Sequence, residues 1–159
     1  MQLTPQHRQV LHWVRPTVAQ RYEIYSELEL PRAVLTINSP DQALLETRFG
    51  TYTIQRPASS ASVLITEMDG SLIADIQMGW WRRRRLRFND GREFQFNSLN
   101  LLRSRWLWST ESGEPRAVVQ NDRIFFSPDW PIREGLSSLL AGLTVYLIVN
   151  RPSAFPFFS

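Results

Sequence analysis

The chain has no cysteine, and although eighteen of its residues are basic, none of them is lysine. The absence of cysteine removes disulfides, thiolate nucleophiles and nearly every structural zinc pattern together. Without lysine, every basic side chain is an arginine, whose planar fork holds phosphate or carboxylate in two-point contacts that lysine cannot copy. A codon bias toward arginine would produce the same composition. Histidine occurs only as His7 and His12. The two are too far round a helix to share a face as i,i+4 ligands do, and no carboxylate pattern completes a metal site, so both read as solvated or capping residues. The chain also lacks a glycine-rich phosphate loop, a Gly-x-Ser-x-Gly elbow and an acidic calcium loop. The carboxylates are scattered, and Asp69, Asp90 and Asp122 sit where turns are expected. No convergent acid, base or nucleophile emerges, so the expectation is a non-enzymatic protein with no cofactor and no metal.

The 159 residues fit one domain, 1–159, since two cores of half that size would each be marginal. Hydrophobic residues make up 43% and charged residues 21%, a balance that folds rather than stays disordered. Six Trp and nine Phe lean the prior toward strands, because bulky flat side chains suit a pleated surface. Met1 to Arg15 contains no uninterrupted apolar run of signal-peptide length, so the expected location is cytoplasmic or peripheral to a membrane.

Period-two alternation runs through most of the chain. From Tyr22 to Leu30, Tyr22, Ile24, Leu28 and Leu30 fall on one side and Glu23, Glu27 and Glu29 on the other, which reads as a half-buried strand. Similar stretches cover Ala33–Asn38, Ala43–Phe49, Thr51–Gln55, Val63–Met68, Leu72–Met78, Leu86–Phe88, Glu93–Phe96, Arg105–Ser109, Arg116–Val119 and Ile124–Phe126. Between them, Ser39-Pro40-Asp41, Asp69-Gly70, Asn89-Asp90-Gly91, Ser112-Gly113 and Asn121-Asp122 supply residues that tolerate positive φ or bond their own backbone. Short turns make consecutive strands antiparallel neighbours, so a β-sandwich or β-barrel over residues 9–126 is expected. The N-terminal stretch supports two readings: Thr4-Pro5 could cap a short helix, and Gln9 to Val14 could begin a strand.

One segment departs from this pattern. Gly135 to Val149 is apolar on nearly every side, and Ser127-Pro128-Asp129-Trp130-Pro131 before it has the residue types of a helix entry, which puts a helix within 128–150. A helix with no polar face lies inside a protein or inside a bilayer. About fifteen residues at 1.5 Å each span roughly 22 Å, short of the ~30 Å hydrocarbon core, and Arg133, Glu134 and Arg151 bracket the run closely. A central core helix is expected and no transmembrane span, with residues 151–159 as a C-terminal tail.

Three stretches repeat one pattern of an aromatic strand, a loop and a second strand. They are Trp13-Val14-Arg15-Pro16 leading to Arg21-Tyr22-Glu23-Ile24, Tyr52-Thr53-Ile54-Gln55-Arg56-Pro57 leading to Val63-Leu64-Ile65, and Phe94-Gln95-Phe96 leading to Arg105-Trp106-Leu107-Trp108. The Arg-Pro after an aromatic strand, Gly79-Trp80-Trp81, the Asn89-Asp90-Gly91-Arg92 hairpin and the terminal apolar helix resemble the tubby C-terminal-like superfamily over roughly Trp13 to Arg151. That group includes tubby proteins, phospholipid scramblases and LURP-one-related proteins. The resemblance implies a closed antiparallel barrel of about twelve strands around a central C-terminal helix. It carries over no site residue, and the scramblases' calcium-binding segment has no counterpart here.

The densest feature is Trp80-Trp81-Arg82-Arg83-Arg84-Arg85-Leu86-Arg87. Trp80, Trp81, Arg82, Arg83, Arg84, Arg85 and Arg87 form the candidate ligand-binding set, because so many guanidinium groups beside two indoles create a strong local positive potential. An anionic membrane surface is the first expected partner and an acidic protein the second; nucleic acid stacking on the indoles is the weakest. A competing reading takes the arginines as a solvated, edge-protecting cluster at a hairpin tip and the tryptophans as core. The tail Phe155-Pro156-Phe157-Phe158 is a further apolar feature that could meet a membrane, a partner or its own domain. Arg15 and Arg56, each before a proline, are expected to orient their loops.

Overall fold

The computed structural model describes residues 9–16, 20–58, 60–78, 83–100 and 104–150. Twelve strands follow one another: β1 (Val10–Val14), β2 (Arg21–Ser26), β3 (Pro31–Ser39), β4 (Gln42–Thr47), β5 (Gly50–Gln55) and β6 (Ser62–Glu67) lead into β7 (Leu72–Met78), β8 (Arg84–Phe88), β9 (Glu93–Ser98), β10 (Arg105–Thr110), β11 (Pro115–Gln120) and β12 (Arg123–Phe126). Each pairs antiparallel with its sequence neighbours, and β1 pairs with β12 to close the barrel. Closure leaves no free strand edge. The expected β-barrel is the fold of the chain, and Val10–Val14 within the Gln9 to Val14 stretch supplies its first strand, while Thr4-Pro5 lies outside the described residues.

Strand alternation sorts the side chains into two environments. Leu35, Leu45, Ile54, Ile65, Ile76, Leu86, Phe96, Trp108 and Val119 point inward and are buried, whereas Glu46, Arg85 and Gln120 on the same strands face out. The apolar lumen is the reverse of the polar interior of an outer-membrane-type barrel, and the outer wall mixes such polar residues with Val34, Leu44, Leu64, Leu107, Val118 and Phe125. Gly70, Gly91 and Gly113 close the hairpins expected at those positions with φ near +90°, where a side chain would be strained.

Two expectations fail at strand ends. Leu28 and Leu30, read as core, are 81% and 55% exposed, because β2 stops at Ser26 and the chain turns. Ser26 accepts from the Glu29 backbone N–H, and Glu29 adopts a φ of 60°. The local alternation of Leu and Glu thus runs past the last ladder pair. The helix α1 spans Glu134–Val149, so residues 128–133 are not helical. The segment read as its entry forms a turn, and the N-cap position falls on Arg133, which makes no side-chain cap.

The helix lies in the lumen. Every residue from Ser137 to Leu147 is buried, so no face of α1 meets solvent there. It sits off-centre, nearest β2, β3 and β4, where Ala33 and Ala43 point inward. Phe88, Phe94, Phe96, Trp106, Trp108 and Phe126 fill the space on the far side. One hydrogen bond crosses that aromatic layer: the Trp108 indole Nε1–H donates to Thr144 Oγ1 at 2.8 Å, and Thr144 donates in turn to the Leu140 carbonyl. Thr144→Val keeps the shape and leaves the buried indole N–H without its acceptor. It is expected to lower unfolding free energy by about 1–2 kcal/mol, read from urea denaturation followed by tryptophan fluorescence.

Among the described residues, no helix is long and apolar enough to cross a membrane. The three repeat copies fall on β1/β2, β5/β6 and β9/β10, every fourth strand round the barrel. In each copy the facing strand ends, Val14 with Arg21, Gln55 with Ser62 and Ser98 with Arg105, lie at the end where α1 terminates.

Candidate functional site

Antiparallel order fixes which loops share an end. The strand ends at Val14 and Arg21, Ser39 and Gln42, Gln55 and Ser62, Met78 and Arg84, Ser98 and Arg105, and Gln120 and Arg123 gather at the end where α1 finishes. There the Tyr146 hydroxyl donates to the Pro40 carbonyl at 2.8 Å, and burial of the phenol raises its pKa. The connections 27–30, 48–49, 68–71, 89–92 and 111–114, with the lead-in 127–133, gather where α1 begins.

The structure divides the arginine run. Trp80, Trp81 and Arg82 lie outside the described residues. Arg83 precedes β8 and is exposed, and Arg85 is exposed on the strand's outer face. Arg84 is only 1% exposed. It shares the inward phase with Leu86 and Phe88, and its guanidinium lies over the Trp106 ring at 5.6 Å. Arg84 is therefore a lumen residue, and its place in the candidate binding set is corrected. Arg87 faces out but sits opposite Asp75 and Glu93, and its Nη2 is 3.4 Å from Asp75 Oδ2. Arg85, by contrast, is flanked across the ladder by Gln77 and Gln95. Among the described residues of the run, Arg83 to Arg87, the guanidiniums do not form one contiguous cluster: β8 begins at Arg84, and alternation sends neighbouring side chains to opposite faces.

Tracing the strands exposes a larger asymmetry that no linear window shows. Around the end where α1 terminates stand Arg15, Arg21, Arg56, Arg83, Arg105 and Arg123, all exposed, against Asp41 and Asp122. Of these, Arg21 faces Glu23 at 3.6 Å and Arg123 faces Asp122 at 4.0 Å, while Arg15 lies over the Tyr22 ring at 5.8 Å. Around the other end stand Glu27, Glu29, Asp69, Asp90, Glu111, Glu114 and Asp129 against Arg48, Arg92 and Arg133. The net charge of +3 hides a molecule with a basic end and an acidic end. The macrodipole of α1 is complementary to this layout, since its negative C-terminus points at the arginines and its positive N-terminus at the carboxylates.

His12 stacks on Tyr25 at 5.8 Å, with Nε2 3.6 Å from a Glu29 carboxylate oxygen. His7 and the tail Phe155 to Phe158 lie outside the described residues. No three His, Asp or Glu side chains gather as metal ligands among the described residues. Asp69 and Asp90 act within their turns, accepting from the backbone N–H groups of Ser71 and Arg92. Hydrogen bonds from Ser71 hold the Asp69 carboxyl below its usual range, and the Arg92 backbone N–H does the same for Asp90. What the basic end offers is a ring of guanidinium groups, borne by loops and by the first residues of strands, around the mouth of the barrel, a surface suited to binding a broad anion. No family model matches the chain, and neither a curated protein nor a solved structure matches it.

Proposed function

We propose that the protein is a non-enzymatic binding module that docks its basic end on an anionic membrane surface from the cytoplasmic side. The observation that carries this reading is the segregation of charge between the two barrel ends. Arg83, Arg85 and Arg105 add to it, all exposed, with Arg85 between Gln77 and Gln95 and Arg105 opposite Gln120. A basic face meeting anionic lipid gains about 1 kcal/mol for each arginine near the surface, within a Debye length. The acidic end points away and orients the approach. A twelve-stranded antiparallel barrel around a C-terminal helix also fits the tubby-like resemblance, and we propose that kinship on architecture alone.

Cosedimentation with vesicles tests the reading. Mixed phosphatidylserine and phosphatidylcholine vesicles should retain the protein at low salt and release it as salt rises, and pure phosphatidylcholine should not retain it. The variant Arg83→Ser, Arg85→Ser, Arg105→Ser should lose about 100-fold in affinity, corresponding to three contacts of roughly 1 kcal/mol. Equal binding to both vesicle types, or an unchanged triple variant, would refute surface docking. Binding only to an acidic protein, with no vesicle retained, would assign the basic end to a protein partner instead.

A further inference from the structure

The acidic end contains one place where neither the helix nor the lead-in segment closes the barrel. α1 leans against β2–β4. Trp130 covers the opposite part of the mouth, packing on Phe94 at 5.7 Å and Phe126 at 6.4 Å with Arg116 over its ring. Between these two plugs, above β5, β7 and β8, a cleft of about 660 Å³ remains open. Its walls are apolar: Phe49, Tyr52, Ile73, Phe88, Leu136 and, deepest, Leu139, which is 5% exposed. Gly135 lies beside Phe49 in this wall.

The charges around the opening differ from the rest of this end. Asp90 is held by the Arg92 Nε–H at 2.8 Å, and the Arg92 guanidinium lies over the Phe88 ring at 4.6 Å. Glu134 is engaged by Arg32, with Arg48 at 3.7 Å. Both carboxylates at the mouth are thus matched by arginines. Arg133 is exposed beside them and, among the described residues, has no ion-pair partner. An apolar pocket of drug-like volume with a spare cation at its lip is complementary to a molecule with an apolar body and one anionic head.

We infer that this cleft is a binding site for a small amphipathic carboxylate, a fatty acid being the simplest, with its chain on Leu139, Phe88 and Phe49 and its carboxylate on Arg133. The site is separate from the basic end and does not depend on the surface-docking reading. Isothermal titration calorimetry with dodecanoate below its micelle concentration tests it, with dodecanol as the uncharged comparison. Dodecanoate should bind at one site per chain, at least tenfold more tightly than dodecanol, as a charge-assisted contact of about 1.5–3 kcal/mol requires. Arg133→Ser, an exposed position, should erase the difference between the two ligands. Leu136→Trp, which fills the cleft, should abolish both, with the melting temperature confirming that the barrel stands. The triple variant of Arg83, Arg85 and Arg105 should bind dodecanoate as the parent does. No binding, equal affinity for acid and alcohol, or dodecanoate binding that survives Leu136→Trp would each overturn the assignment.

Discussion

Arg84→Ala is expected to lower the melting temperature by about 10 °C, whereas Arg83→Ala and Arg85→Ala should each move it by no more than about 2 °C. The three residues are adjacent in sequence and chemically identical, so the difference arises entirely from the pleat. Arg84 is 1% exposed, and its ladder partners are Met78 and Phe96. Its guanidinium covers one part of a stack in which Trp106 lies on Phe96 at 5.1 Å, nearly parallel. Truncation removes a long side chain from a packed aromatic layer and the cation–π contact with it, a loss of about 3 kcal/mol by analogy with other large-to-small core changes. Arg84→Met separates the two contributions. It retains most of the volume, so a variant much more stable than Arg84→Ala assigns the loss to packing, and one equally unstable assigns it to the guanidinium. Thermal denaturation of the single variants is the measurement, and an Arg84→Ala protein that melts like its parent would place this side chain outside the core. Anionic vesicle binding should follow the opposite order, weakened about fivefold by Arg83→Ala or Arg85→Ala and retained in whatever fraction of the Arg84 variants stays folded.

The same residue shows how far alternation could be read. Leu86 and Phe88 mark the inward phase of β8, and carrying that phase back one step from Leu86 reaches Arg84. A run of identical charges obscures this, because hydrophobicity no longer separates the two faces and the strand appears to begin at Leu86. Leu28 and Leu30 show the opposite error, in which an alternating pattern persists after the ladder has ended; only the Ser26 to Glu29 turn reveals it. The helix was legible because an apolar run too short for a bilayer has few places to go. Its start was less so, since Ser127-Pro128-Asp129 is equally suited to a turn and no capping side chain marks Arg133. The two ends of opposite charge needed the strand directions, as each end is assembled from loops spread along the whole chain. The cleft is further from any linear signal still: Phe49, Phe88 and Leu136 come from a hairpin turn, a strand end and a helix, on the side that the off-centre α1 leaves open.

That off-centre placement depends on Gly142, and Gly142→Val is expected to cost the fold at least 3 kcal/mol. On helix propensity alone the prediction would have the other sign, since a glycine inside a helix costs about 1 kcal/mol relative to alanine. The packing decides otherwise. A β-carbon at position 142 would stand 2.5 Å from both δ-carbons of Leu45 and 3.0 Å from its γ-carbon. Leu45 is fully buried on β4, between Leu35 and Tyr52 on the neighbouring strands, so its side chain has little free volume to turn into. Alanine at 142 sets a propensity gain of about 1 kcal/mol against an overpacking cost of about 1–3 kcal/mol; valine adds two further carbons to that same contact and loses helix propensity through its branch. The helix would have to move away from β4, toward the aromatic layer that Trp108 and Thr144 hold together. A double-mutant cycle with Leu45→Ala isolates this contact. Leu45→Ala alone should cost about 2–5 kcal/mol by emptying a core site, but in the Gly142→Val background it makes room for the new side chain. The two changes should therefore combine to at least 1 kcal/mol less than their sum in urea unfolding. Strict additivity would mean that α1 and β4 are not packed backbone-close at this point, and the account of why one side of the barrel mouth stays open would fail with it.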